Sequence, residues 1–77
     1  MIHPDEIRAL ITATMNDAEI EIIDKTGASD HFIIKVVSKH FQDVSIMDRH
    51  RNVMALLQPA MATGALHAVE LKTELPN

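Results

Sequence analysis

Apolar and polar residues in this chain switch between two spacings, and the switches divide it into five segments. Within residues 4–16, Ile7, Leu10, Ile11 and Thr14 recur at i, i+3, i+4 and i+7, the signature of a helix with one buried face. Pro4 suits the first turn, where its missing N–H is no loss. Asp5 and Glu6 fall at the positive end of the helix dipole, and Asn16-Asp17 closes the segment.

The period then drops to two. In residues 18–24, Glu19 and Glu21 alternate with Ile20 and Ile22, which describes a half-buried strand. A polar turn over residues 25–30 contains Gly27, free to take positive φ. A second strand covers residues 31–39, with Phe32, Ile34 and Val36 on one face and Ile33, Lys35 and Val37 on the other. Two such runs around a short polar loop predict a β-hairpin.

Helical spacing returns from about 46 to 63, with Ile46, Val53, Leu57 and Met61 near one face. Ser45 followed by Asp48 resembles a capping box with Asp in place of Glu. Pro59 removes one backbone donor and predicts a kink or a break into two pieces. Thr63-Gly64 ends the helix. Residues 66–73 read as a third strand with Val69 and Leu71 inward. The order is αββαβ, an α/β (α+β) domain with two helices on one face of a three-stranded sheet. The helical crossover before the last strand permits it to pair in parallel with the second.

Composition narrows the function classes. At 77 residues the chain makes one domain, 1–77, near the lower size limit for a core without staples. It has five histidines and no cysteine, so it cannot assemble a zinc ribbon or a self-contained iron–sulfur site. Residues 1–15, interrupted by Asp5, Glu6 and Arg8, show no signal-peptide apolar region, and no window has the length for a membrane span. A soluble, cytoplasmic protein is expected.

The net charge of −4 is uneven: residues 1–30 carry −5, residues 31–51 carry +2. The basic middle holds Lys35, Lys39, Arg49 and Arg51 together with His31, His40 and His50. It is weaker than the stripe of a dedicated nucleic-acid binder but compatible with an anionic partner. Arg49-His50-Arg51 stands where positive charge opposes the helix dipole, so helix stability does not account for it. It is either a solvated basic turn or a contact for phosphate or an acidic surface.

No nucleophile elbow, P-loop, dinucleotide fingerprint or zinc-protease motif is present, and enzyme activity is not expected. The two glycines, 37 residues apart, exclude the G-x-x-G loop of nucleic-acid-clamping KH domains. His67 shares strand parity with Val69 and Leu71, which predicts a place at the rim of the core. Two readings stay open for it: a strand-end imidazole bonded to backbone, or a metal ligand at a sheet edge. His31, opening the second strand, comes near it if the second and third strands are parallel. His3 and His40 read as surface residues. Met47, Met54 and Met61 read as core filler.

The run His31-Phe32-Ile33-Ile34-Lys35-Val36-Val37-Ser38, then Phe41, Arg49-His50-Arg51-Asn52-Val53, Leu66-His67-Ala68-Val69 and Thr73, resembles the BolA family (BolA/IbaG-like) over residues 4–76. The family's class II KH-like αββαβ fold agrees with the pattern. The resemblance implies a non-enzymatic partner of monothiol glutaredoxins, acting in iron–sulfur trafficking or iron regulation. It implies a [2Fe–2S] cluster shared with the glutaredoxin and glutathione, with none bound to the chain alone. The family's near-invariant histidine falls on His67, and the second ligand, His or Cys in different subgroups, falls nearest His31. Such ligation makes cluster binding sensitive to pH over the free histidine range of ~6–7. Alone, a monomer or weak homodimer is expected, with no membrane association. The alternative that the resemblance carries is a DNA-binding transcriptional regulator contacting phosphates through Lys35, Lys39, Arg49, His50 and Arg51.

Overall fold

The computed structural model describes residues 2–28 and 31–77. Helix α1 (Pro4–Thr12) is followed by strands β1 (Glu19–Asp24) and β2 (His31–Val37), a 3-10 turn (Lys39–Phe41), helix α2 (Ile46–Ala62) and strand β3 (Ala68–Glu74). The sheet order is β1-β2-β3. β1 and β2 form the expected antiparallel hairpin, closed by Lys25 N–H donating to the His31 carbonyl at 2.9 Å. β2 and β3 run parallel, with α2 as the crossover.

The central strand organises the core. Phe32, Ile34 and Val36 are fully or almost fully buried, packed with Ile7 and Ile11 of α1 and Val53 and Leu57 of α2. Ile20 and Ile22 of β1 and Val69 and Leu71 of β3 flank them, partly buried, on the same side of the sheet. The period-2 pattern thus selects the face that the helices cover. The other face, carrying Glu19, Glu21, Ile23, His31, Ile33, Lys35, Val37, Ala68, Glu70, Lys72 and Glu74, has no element packed on it among the described residues.

Local chemistry explains the element ends. His3 caps α1: its Nδ1 accepts from the Asp5 N–H at 3.1 Å, and Pro4 follows as the first helical residue. Ser45 caps α2 by accepting from the Asp48 N–H at 3.2 Å, as the spacing predicted. Gly64, at φ 78°, follows the C-cap Thr63, and Leu66 N–H bonds back to the Ala60 carbonyl at 3.1 Å. That return buries Leu66 and aims the chain into β3.

Several expectations are corrected. α1 stops at Thr12 rather than reaching 16; the chain then turns so that Met15 N–H bonds the Ile11 carbonyl at 2.9 Å, burying Met15 and leaving Thr14 exposed. α2 is one element, not two. Pro59 stands close to its C-terminal end, so the single donor it lacks does not divide the helix. Ile46 aligns with Val53 and Leu57 on the helical wheel yet is 74% exposed, and Met47 is 66% exposed rather than core filler. The first turn of α2 therefore overhangs the core. β2 ends at Val37, and β3 begins at Ala68 rather than 66. Part of the turn predicted over 25–30 lies outside the described residues.

Asp43, between the 3-10 turn and α2, adopts φ 59° without being glycine. Asp tolerates this region better than most residues but at a cost that glycine does not bear. Asp43→Gly is expected to raise stability by about 0.5 kcal/mol after the greater chain entropy of glycine is counted, read as a higher midpoint in chemical denaturation. Leu57→Ala, at a wholly buried site, is expected to lower it by about 2–5 kcal/mol in the same measurement.

Candidate metal and partner site

The register of the parallel pair brings the two candidate ligands to one end of the sheet. His31 pairs with Ala68, so His67 is the residue immediately before the partner of His31. An open depression of about 300 Å³ lies here, lined by Lys25, His31, Phe32, Ala68, Val69 and Glu70. Both imidazoles are exposed. For His67 this corrects the expected place at the core rim: it precedes the ladder, so strand parity does not hold it against Val69. His31 lies inside the ladder and shares the uncovered face with Ile33, Lys35 and Val37.

Among the described residues, no three His, Asp or Glu side chains are grouped to hold a metal ion. The chain has no thiol. Two exposed imidazoles thus stand at one end of the sheet, and the described residues make up no complete metal site there.

The basic residues do not gather into one patch. Lys35 is on the uncovered sheet face, with Nζ 3.7 Å from Glu74 Oε2. Lys39 is in the 3-10 turn, while Arg49, His50 and Arg51 are on α2, across the sheet from Lys35. Arg49 is held by structural contacts. Its Nε donates to the Val44 carbonyl at 2.8 Å, and its guanidinium lies 5.8 Å from the Phe41 ring centroid. It clamps the buried Phe41 and the following loop to the helix. Arg51 is exposed and pairs with Asp48 at 3.3 Å; His50 is exposed.

A polar cluster that sequence spacing did not suggest joins Asp17, Ser38 and His40. Ser38, completely buried, donates its hydroxyl to Asp17 Oδ1 at 2.8 Å and accepts from the His40 N–H at 3.1 Å. Lys39 N–H donates to Asp17 Oδ2 at 2.8 Å, and His40 Nδ1 lies 2.7 Å from Oδ1. The Asp17 carboxyl is held at about 2, below its ordinary value of 3.8, first by the Lys39 backbone donor and then by Ser38 and His40, against the opposing effect of burial. An ionised carboxylate only accepts, so His40 Nδ1 carries the proton in this pair. The trio holds a serine, a histidine and an aspartate, but the buried hydroxyl donates its hydrogen bond to the carboxylate, and His40 Nδ1, 3.1 Å from that hydroxyl, donates to the same carboxylate. It is a staple between the α1–β1 connection and the end of β2.

A three-stranded α+β sheet covered on one side by two helices matches the architecture of BolA structures. The chain belongs to the BolA family, whose description is "BolA-like protein"; the match spans residues 11–77. It is 30% identical to a BolA-like protein of Dictyostelium discoideum, covering 94% of this chain and 69% of that protein. It is also 30% identical to Protein BOLA2 of Arabidopsis thaliana, covering 94% of this chain and 76% of that protein. The structure superposes on BolA1 from Arabidopsis thaliana with a TM-score of 0.84 at 30% identity, over 94% of this chain and 89% of that one. The BolA domain of SufE1 from the same plant gives 0.82 at 28% identity, over 99% and 96%.

The staple sets an acid limit. Because the folded pKa of Asp17 is lowered, its contribution to stability is present above the ordinary value of 3.8 and is lost as pH falls toward about 2. Asp17→Asn is expected to be less stable at neutral pH and to show a flatter loss of stability between about pH 4 and 2, checked by denaturation curves across that range.

Proposed function

We propose that this protein is a non-enzymatic partner of a monothiol glutaredoxin and contributes histidine ligands to a shared [2Fe–2S] cluster in iron–sulfur trafficking or iron regulation. The observation that supports the reading most is the register His31↔Ala68, which brings His67 and His31 to one exposed sheet end, where the described residues hold no group of three metal-ligating side chains. His67 and His31 would hold one iron; a partner thiolate and a glutathione thiolate would hold the other. When bound, the cluster supplies a transferable iron–sulfur unit, and imidazole ligation places its potential above that of all-thiolate sites.

What the chain itself contributes is position. The parallel ladder fixes where His31 stands, and the Gly64 turn with buried Leu66 fixes where the chain carrying His67 enters β3. The alternative reading, phosphate contact by a DNA-binding regulator, draws less support. Its basic residues are divided between the two sides of the sheet, and Arg49 is engaged with Val44 and Phe41.

Titration of a cluster-loaded monothiol glutaredoxin with this protein is expected to change the visible absorption and circular dichroism of the cluster. His67→Ala is expected to abolish that change while leaving the thermal unfolding of the chain alone nearly intact, since the side chain is exposed. An unaltered spectral response in His67→Ala removes the ligand assignment. A silent His31→Ala beside a disabled His67→Ala removes only the second ligand.

A further inference from the structure

A protein that completes a site at His31 is restricted in its approach. His31 belongs to the face of β2 that also carries Ile33, Lys35 and Val37, while the opposite face is sealed by α1 and α2 over Phe32, Ile34 and Val36. The helix-covered face is closed to such a partner, and the uncovered face is open to it. Register gives the order of residues it meets there. Next to His31 is Ala68; one step along, Ile33 has Ile23 on one side and Glu70 on the other. Beyond that come the rows Glu21, Lys35, Lys72 and Glu19, Val37, Glu74.

Ile23 stands out in this row. It is 55% exposed, and among the described residues it is the one large hydrophobic side chain on a strand that is this open to solvent. Its cross-strand neighbour Ile33 is half-buried, and Ala68 is small and exposed, so an apolar strip runs from Ile23 to the edge of His31. Glu70 flanks the strip. The face as a whole carries four glutamates against Lys35 and Lys72, and Lys35 is paired with Glu74.

We propose that the strip of Ile23, Ile33 and Ala68, flanked by Glu70, is the docking surface for the thiolate-bearing partner of the reading above, on which this inference rests. The occupant has stated chemistry: an apolar patch beside its cysteine and a cation facing Glu70. A cation beside a ligating cysteine favours its thiolate form, as does the bound metal itself. The same cation complements Glu70 and the negative face. The strip is continuous with His31 in the ladder, so one contact both seats the partner and delivers its sulfur to the sheet end. Exposed apolar side chains at the centre of such a contact carry a disproportionate share of its affinity.

The test is calorimetric titration of a cluster-loaded monothiol glutaredoxin against the full chain and its Ile23→Lys, Glu70→Lys and Ile46→Lys variants, with visible spectra taken in parallel. Ile23→Lys is expected to weaken binding by about tenfold or more and Glu70→Lys by a smaller factor. Ile46→Lys, changing an exposed isoleucine on α2, is expected to leave affinity unchanged. Circular dichroism of the free variants checks that each is folded. Wild-type affinity in both Ile23→Lys and Glu70→Lys overturns the docking surface; if His67→Ala still disables the spectral change, the cluster reading stands without it. Absence of any binding by the wild-type chain overturns both. Self-association of the wild-type chain that Ile23→Lys abolishes, with glutaredoxin affinity unchanged, overturns the proposal in favour of a second copy on this face.

Discussion

Burial of one face of β2 is the constraint on which the rest of the structure depends. Phe32, Ile34 and Val36 are the floor on which both helices rest, and β2 is hydrogen-bonded on both edges. Each of these side chains contributes about 1.5–3 kcal/mol when fully buried, a large share of the margin available to a domain of this size. A slip of one residue would exchange Phe32, Ile34 and Val36 for His31, Ile33, Lys35 and Val37, burying a lysine and a histidine. Register is thus strongly specified, and it also decides that His31 faces outward and that Ala68, hence His67, arrives beside it.

A second line of restraint ties the loops to this floor. Asp17 gathers donors from Ser38, Lys39 and His40, fastening the chain before β1 to the chain after β2. A few residues on, Phe41 is buried and Arg49 reaches back to it and to the Val44 carbonyl. The staple and the clamp share the short 3-10 turn, so the start of α2 is positioned by polar contacts where its apolar first turn, Ile46 and Met47, finds no core to enter. Asp43 in the left-handed region is the price of bending the chain between them.

Much of this was legible in the residue pattern, because helix and strand periods are local properties. All five main elements, the hairpin and the alternating faces of β1, β2 and β3 follow from spacing, and the helical crossover permitted the parallel third strand that the structure has. The BolA resemblance was carried by the same run of residues that builds β2 and the start of α2. What spacing did not show depends on contacts between distant positions. Asp17 meets Ser38 and His40 across more than twenty residues, so His40 read as an ordinary surface histidine. Ile46 has the right phase for burial but the wrong position along the helix. Lys35 and Arg51 are close in sequence and lie on opposite sides of the sheet. For His67, alternation predicted the core rim, and it failed because the ladder starts one residue later.

On the proposed reading, the incompleteness of the donor set and the bareness of one sheet face go together. The two helices of the described residues cover one side of the three strands. The uncovered side must then tolerate water, which its glutamates and lysines allow, yet it retains Ile23 in a row where alternation would admit another polar residue. Cysteine is absent altogether, so on that reading the thiolate ligands come from outside. A larger domain could enclose a metal and seal its own sheet. On the proposed reading this one leaves both unfinished at the same place, with His31 in the ladder of the open face and His67 just before the adjoining strand. A partner that supplied thiolates there would at once complete the donor set and cover the exposed isoleucine of the open face.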